Sequence, residues 1–217
     1  MDTLKDAVLI GLLLGDLHLQ KSDSSTGKCR LRLSHERKQK DYMDWIHQFF
    51  LDWCKKTKPP YFEVNSKGYE EYLFYSEYRE ELIYYHNLFY KKPVKPIPRK
   101  RFVKRLPEKI DDLLTNPITL AFWFMDDGTK RTDCNAGRIA TQGFSKEEQR
   151  KLKDCLWKNF FIRVELDTWH NKKGNEIYGL SIPSTGGHFE KWCHLIRPFI
   201  TKEVPQMKYK LQNTKTP

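Results

Sequence analysis

Two stretches of this chain are apolar on every side and each stops on an acid. LIGLLLGDLHL (9–19) ends its apolar run at Asp16, and LAFWFMDDGTK (120–130) ends its run at Asp127, 111 positions later. A helix without a polar face has to be enclosed by protein, so both predict buried helices. The segments downstream of the two stretches are alike. Short alternating segments lead into an amphipathic helix, KDYMDWIHQFFLDWCKK (40–56) in the first half and SKEEQRKLKDCLWKNFF (145–161) in the second. Ser145 and Glu148 open the latter as a capping box. A hairpin signal then appears in each half, at Asn65 to Gly68 and at Asn171 to Gly174, 106 positions apart. Offsets agreeing to within a few residues mark a duplicated unit.

The alternating segments carry period 2. Arg30 and Arg32 share one face with Leu31 and Leu33 on the other, and Ile162, Val164 and Leu166 alternate with charged residues. Each half therefore reads as helix, two strands, helix, two strands, helix, the last helices falling at 77–90 and 188–200. No helix-length crossover separates strands joined by a hairpin turn, so the sheets are expected to be antiparallel. The predicted fold is α+β, with one unit over 1–90, a second over 112–217, and a linker over 91–111. KKPVKPIPRKRFVKRLP (91–107) holds four prolines and eight basic residues, a stiff, extended and positive connection.

The balance of 39 Lys and Arg against 28 Asp and Glu gives a formal charge of +11, which points to a polyanionic partner. Hydrophobic residues at 39% and aromatics at 14% supply a core and exclude a disordered chain. No apolar run approaches the roughly 18 residues needed to span a bilayer. Asp2 and Asp6 sit where a signal peptide needs basic residues. The expectation is an intracellular protein with no signal peptide and no membrane partner, made in an organelle (mitochondrion or chloroplast) or a bacterial cytoplasm. Cys29, Cys54, Cys134, Cys155 and Cys193 are odd in number and form no CxxC pair, so reduced thiols are expected rather than a zinc site or a disulfide framework. The seven histidines show no ligand-like spacing.

If the two apolar helices pack together, their acidic ends meet. A helix C-terminus already carries about half a negative charge, so two such ends bearing aspartates are costly without cations. Gly11 and Gly15 lie on one face and would let a neighbouring backbone come close, with Ala121 able to do the same in the second helix. The same pattern is also that of two ordinary buried helices with solvated terminal aspartates.

The paired motifs resemble those of the LAGLIDADG homing endonucleases, specifically the two-motif monomers similar to the omega-type mitochondrial-intron endonuclease. LIGLLLGDL and LAFWFMDDG align on the nine-letter motif without gaps, with Asp16 and Asp127 at its eighth position. TLAFWFMDDG and the C-terminal VPQMKYKLQNT match that subgroup's own motifs, and the resemblance spans residues 7 to 214. It implies two αββαββα units related by a pseudo-twofold axis, motif helices at their interface, and antiparallel sheets forming a saddle over DNA. It implies a site-specific, metal-dependent phosphodiester hydrolase that cuts both strands, with Mg²⁺ as the ion and Mn²⁺ as a substitute. Asp16 and Asp127 would be the catalytic acids and metal ligands, and the carbonyls of Gly15 and Asp126 would face the metals. One basic residue near each scissile phosphate falls by alignment on Lys104 and Lys210; Lys100, Arg101 and Arg105 are neighbouring alternatives to the first and Lys208 to the second. Leu17, Asp126 and Phe122 depart from the consensus, and Asp126 would make the two active sites unequal.

Base readout would fall to the polar strand faces, because a two-stranded ribbon fits the major groove. The candidates are Arg30, Arg32 and His35 in the first half and Lys130, Arg138, Gln142, Trp169 and Asn171 in the second. The implied partner is double-stranded DNA with a long asymmetric target, bound by a monomer whose duplication supplies both half-sites. Two alternatives stand beside this reading: an intron RNA maturase of the same family, and a DNA-binding protein without catalysis.

Overall fold

The computed structural model describes residues 3–66, 68–98, 101–170, 174 and 176–211, without the side chains of 169 and 170. Contacts divide the chain into two compact units, one of Asp16–Tyr90 and one of Met1–Gly15 with Lys91–Pro217. The first apolar run forms α1 (Thr3–Leu14), buried from Ala7 to Leu14. By its contacts α1 goes with the second half of the chain, so the compact units and the sequence repeat have different boundaries.

In the unit Asp16–Tyr90 the order is β1 (His18–Lys21), β2 (Cys29–Glu36), α2 (Lys40–Phe49), β3 (Tyr61–Val64), β4 (Glu70–Tyr75) and α3 (Glu81–Phe89). The strands form one antiparallel sheet in the order β1-β2-β4-β3. Along β2, Cys29, Leu31, Leu33 and His35 are buried and Arg30, Arg32 and Ser34 are half-buried, which is the period of a strand with one covered face. The cover comes from α2 and α3, whose Tyr42, Met43, Ile46, Leu82 and Phe89 are buried. The helix expected over 40–56 stops at Phe49, and a 3-10 turn over Leu51–Trp53 comes next. At the β3–β4 hairpin, Gly68 takes φ +80°, and its amide donates to the Asn65 carbonyl at 2.9 Å.

Two short strands, β5 (Tyr90–Lys91) and β6 (Val103–Lys104), flank the proline-rich segment, and α4 (Ile110–Leu113) precedes the second motif helix, α5 (Pro117–Asp127). Pro117 at the first position and Asn116, whose side chain accepts from the Ile118 amide at 2.9 Å, start α5. The remaining elements are β7 (Gly128–Lys130), β8 (Gly137–Ile139), α6 (Lys146–Phe160), β9 (Glu165–His170), β10 (Glu176–Ile182), α7 (His188–Glu203) and a terminal 3-10 segment, Pro205–Leu211. These strands order as β7-β8-β10-β9, the arrangement of the first sheet repeated. Ser145 and Glu148 do form the capping box of α6. The strand expected from 162 starts only at Glu165, because α6 ends with Phe161 in the left-handed region at φ 53°; Ile162 and Val164 are still buried. The hairpin expected at Asn171 lies outside the described residues except for Gly174.

Helices α1 and α5 cross with almost no gap. A Cβ at position 11 would stand 2.6 Å from the Thr119 carbonyl oxygen and 2.7 Å from the Cβ of Phe122, so Gly11 is what admits the α5 backbone. The expected small residue on α5, Ala121, is buried but does not oppose Gly11; Thr119 and Phe122 do. The Thr119 hydroxyl donates to the Ala7 carbonyl at 3.0 Å. Behind α5, Trp123 and Phe124 meet Trp192 and Phe189 of α7. Gln149, fully buried, ties α6 to the sheet: its side-chain amide nitrogen donates to the carbonyls of Thr141, Phe144 and Tyr178 at 3.0, 3.2 and 3.1 Å. Cys29, Cys54, Cys155 and Cys193 are buried free thiols, and Cys134 is exposed. Among the described residues no helix is long and apolar enough to cross a membrane.

Candidate functional site

Neither motif helix carries a basic residue in its last turn, yet α5 ends on Asp126 and Asp127, and Asp16 stands two residues beyond the end of α1. Acids at the negative end of a helix dipole are unfavourable unless positive charge reaches them. Two lysines from other elements supply it. Lys104, on β6, donates from Nζ to the Gly15 carbonyl at 2.7 Å. Lys210, on the terminal 3-10 segment, donates from Nζ to the Gly128 carbonyl at 2.8 Å and the Asp126 carbonyl at 3.4 Å. Buried Met207 and Leu211 anchor that segment and so aim Lys210. Of the alternatives, Arg105 turns to Glu148 at 3.8 Å, Lys208 is exposed, and Lys100 lies outside the described residues.

Gly15 joins the two helix ends by lacking a side chain. A Cβ on Gly15 would lie 2.5 Å from Oδ2 of Asp126 and 2.6 Å from its Cβ, so the Asp126 carboxyl occupies the space a side chain at 15 would fill. This cradle holds a carboxylate against the last turn of α1, with Asp127 next in sequence. The donors gathered here are carboxylate and carbonyl oxygens, the set preferred by hard divalent cations. The Gly15 and Asp126 carbonyls each accept from a lysine. The residues therefore fit a hard divalent cation.

In the unit Asp16–Tyr90, the Asp16 side chain is 48% exposed and its Oδ2 lies 3.7 Å from Nδ1 of His35. His35 is only 7% exposed, with its ring against Tyr42 at 5.6 Å. Residue type alone groups it with the base readers, but its odd position on β2 puts it on the covered face with Leu31 and Leu33. Arg30 and Arg32 take the open face. Gln20 stands opposite Arg30 and Tyr75 opposite Arg32. Arg30 donates from Nε to Oε1 of Gln20 at 2.9 Å, and its guanidinium lies 4.3 Å from the ring centre of Tyr75 and 4.9 Å from that of Tyr78. Arg32 donates from Nε to the Tyr75 hydroxyl at 3.3 Å. Alternation within the sequence does not single out Gln20, Tyr75 and Tyr78; only the strand register reveals them.

On the second sheet Arg138 is exposed and donates from Nε to Asp167 Oδ2 at 3.2 Å. Its partner across the ladder is Thr129, not Lys130. Lys130 pairs with Gly137 and its ammonium lies 5.9 Å from the ring centre of buried Phe189, so it too faces the helix-covered side. Gln142 is exposed in the turn beyond β8. Asn171 and the side chain of Trp169 lie outside the described residues.

Known proteins resemble this chain in sequence and in fold. The chain is 30% identical over 97% of its length to Probable intron-encoded endonuclease 1 of Wickerhamomyces canadensis, covering 85% of that protein. It is 26% identical over 95% of its length to the cytochrome b mRNA maturase bI2 of Saccharomyces cerevisiae, of which it spans 47%. Its fold matches that of the homing endonuclease I-WcaI bound to its DNA recognition sequence, with a TM-score of 0.71, 24% identity, and coverage of 96% of this chain and 86% of that one. The model of the LAGLIDADG DNA endonuclease family matches residues 6–188, from the first turns of α1 to the start of α7. The chain therefore belongs to the LAGLIDADG DNA endonuclease family.

Proposed function

We propose that this protein is a site-specific, divalent-metal-dependent endonuclease that cuts both strands of a long, asymmetric DNA target as a monomer. The observation that carries this reading is the pair of helix ends where Gly15 admits the Asp126 carboxyl and Lys104 and Lys210 cap the carbonyls. As the family resemblance implies, Asp16 and Asp127 would each serve as a ligand of Mg²⁺, for which Mn²⁺ would substitute, with the Gly15 and Asp126 carbonyls facing the metals. Such an ion supplies Lewis-acid stabilisation of the phosphate and a nucleophilic water at neutral pH. The chain's own share is positional. Lys104 and Lys210, held by carbonyls at the helix ends, would bring positive charge to the phosphate as negative charge builds there. The open sheet faces would follow the duplex, and the excess of basic residues supplies affinity by counterion release. Each sequence repeat, 1–90 and 112–217, contributes one motif acid and one sheet.

Selection of cleavable sequences from a randomised duplex library, with Mg²⁺ and with EDTA, tests this. One long site cut only with metal, and left uncut but still bound by Asp16→Asn and by Asp127→Asn, is the expected result. Unchanged cutting by either variant would refute the assignment of the acids.

A second activity, assistance to splicing of an intron RNA, is favoured by the 26% identity to the yeast maturase across 95% of this chain. It predicts splicing that improves with added protein and survives both substitutions.

A further inference from the structure

On the first sheet one arginine is prepared for a task that the fold does not use. The cation of Arg30 lies over the faces of Tyr75 and Tyr78, and Gln20 takes its Nε proton. Among the described residues its two terminal amines have no hydrogen-bond partner and no carboxylate pairs with it. Several other arginines are matched with acids: Arg37 with Glu70, Arg79 with Glu81, Arg131 with Asp133, Arg138 with Asp167, Arg163 with Glu165. A guanidinium gripped at Nε and stacked on aromatic rings has lost most of its rotamer freedom before any ligand arrives. What remains is a planar edge of terminal N–H donors, the geometry that meets O6 and N7 of guanine in the major groove.

Resting on the endonuclease reading, we propose that Arg30 specifies one guanine in the half-site under the first sheet, with Gln20 and Tyr75 as positioning residues. Tyr75 serves two arginines by different atoms. Its ring lies under Arg30 and its hydroxyl accepts from Arg32, so the two functions separate by substitution. Removing the hydroxyl leaves both rings under Arg30; removing the Tyr75 ring leaves only Tyr78 and Gln20 to hold it.

The test uses the full chain and a randomised duplex library in Ca²⁺, reading the bound rather than the cut fraction. Wild-type protein is expected to enrich a motif with one guanine column that depends on Arg30. Arg30→Ala should cut the preference in that column by about five- to a hundredfold and leave the other columns alone. Arg30→Lys keeps the charge and loses the fork, and should do the same, which guards against a folding defect. Tyr75→Phe should keep the column, and Tyr75→Leu and Gln20→Ala should weaken it with an unchanged salt dependence of affinity. An Arg30 variant that binds every sequence equally more weakly, with a shallower salt dependence, would make Arg30 a phosphate contact and overturn the proposal. An Arg30-dependent column that is not guanine would overturn it as well. Wild-type protein that enriches no motif would remove the endonuclease reading too, whereas an intact motif indifferent to Arg30 removes this inference alone.

Discussion

The two four-stranded sheets share one strand order, and Arg32 and Arg138 occupy matching places: each pairs with the residue two positions after a motif acid, His18 for Arg32 and Thr129 for Arg138. Their surroundings are opposite in sign. The first sheet backs Arg30 and Arg32 with phenol rings and an amide, and among the described residues no carboxylate offsets either cation. The second sets Asp167 against Arg138, and Glu165 against both Lys153 and Arg163. An exposed pair such as Arg138 with Asp167 adds at most about 1 kcal/mol to stability. Its effect is local: it occupies a donor that would otherwise be offered outward. Duplication has kept the scaffold and let the recognising surface diverge, so the two half-sites of a target are expected to be read with unequal stringency.

The sharpest test of this inequality is at the helix ends, where the halves are most alike. Lys104→Met and Lys210→Met should each slow cleavage by about a hundredfold, as loss of one preorganised donor does, and each on a different strand. End-labelled duplexes resolve the two nicks; slowing of the same strand by both variants would break the correspondence. Next in size is the support of each sheet. The second rests on Gln149, and Gln149→Leu strands the buried carbonyls of Thr141 and Phe144 at a cost of about 2–3 kcal/mol, measurable by urea denaturation. In the first unit, buried Met43 of α2 is an apolar support, and Met43→Leu should cost under about 1.5 kcal/mol. Equal losses would mean that the two units are supported alike after all. Asp126→Ala removes a carboxylate that only one motif has, and should change the ratio of the two nicking rates by several-fold; equal slowing of both would count against it. The smallest effect is Asp167→Asn, which should cost under about 1 kcal/mol in stability and add base preference in the second half-site as Arg138 is released. No change in the selected motif would show that Asp167 does not restrain it.

Much of the fold is legible in the sequence because it depends on period and composition. The all-apolar runs declare α1 and α5, Ser145 and Glu148 declare the start of α6, and the family's motif spacing brings out Lys104 and Lys210, which the fold sets against carbonyls at the two helix ends. The illegible part depends on where a strand begins. His35 and Lys130 look like polar-face residues until parity is counted from a neighbour of known face, and a one-residue error moves them to the covered side. Gln20 and Tyr75 come beside Arg30 and Arg32 only through pairing across strands, which alternation within one strand does not encode. The early end of α2 and the late start of β9 reflect tertiary packing, which overrides local pattern at element ends.

The crossing of α1 and α5 has a consequence for inheritance. A methyl group added at Gly11 would meet the backbone of Thr119, which no substitution on α5 removes, whereas one added at Gly15 would meet only the side chain of Asp126 and must be answered by a loss there. Across descendants of this chain, positions 15 and 126 should change together or not at all, while the open faces of the sheets drift independently. The duplicated halves would then evolve as one lineage at the helices and as two at the strands, so new targets can be acquired one half at a time.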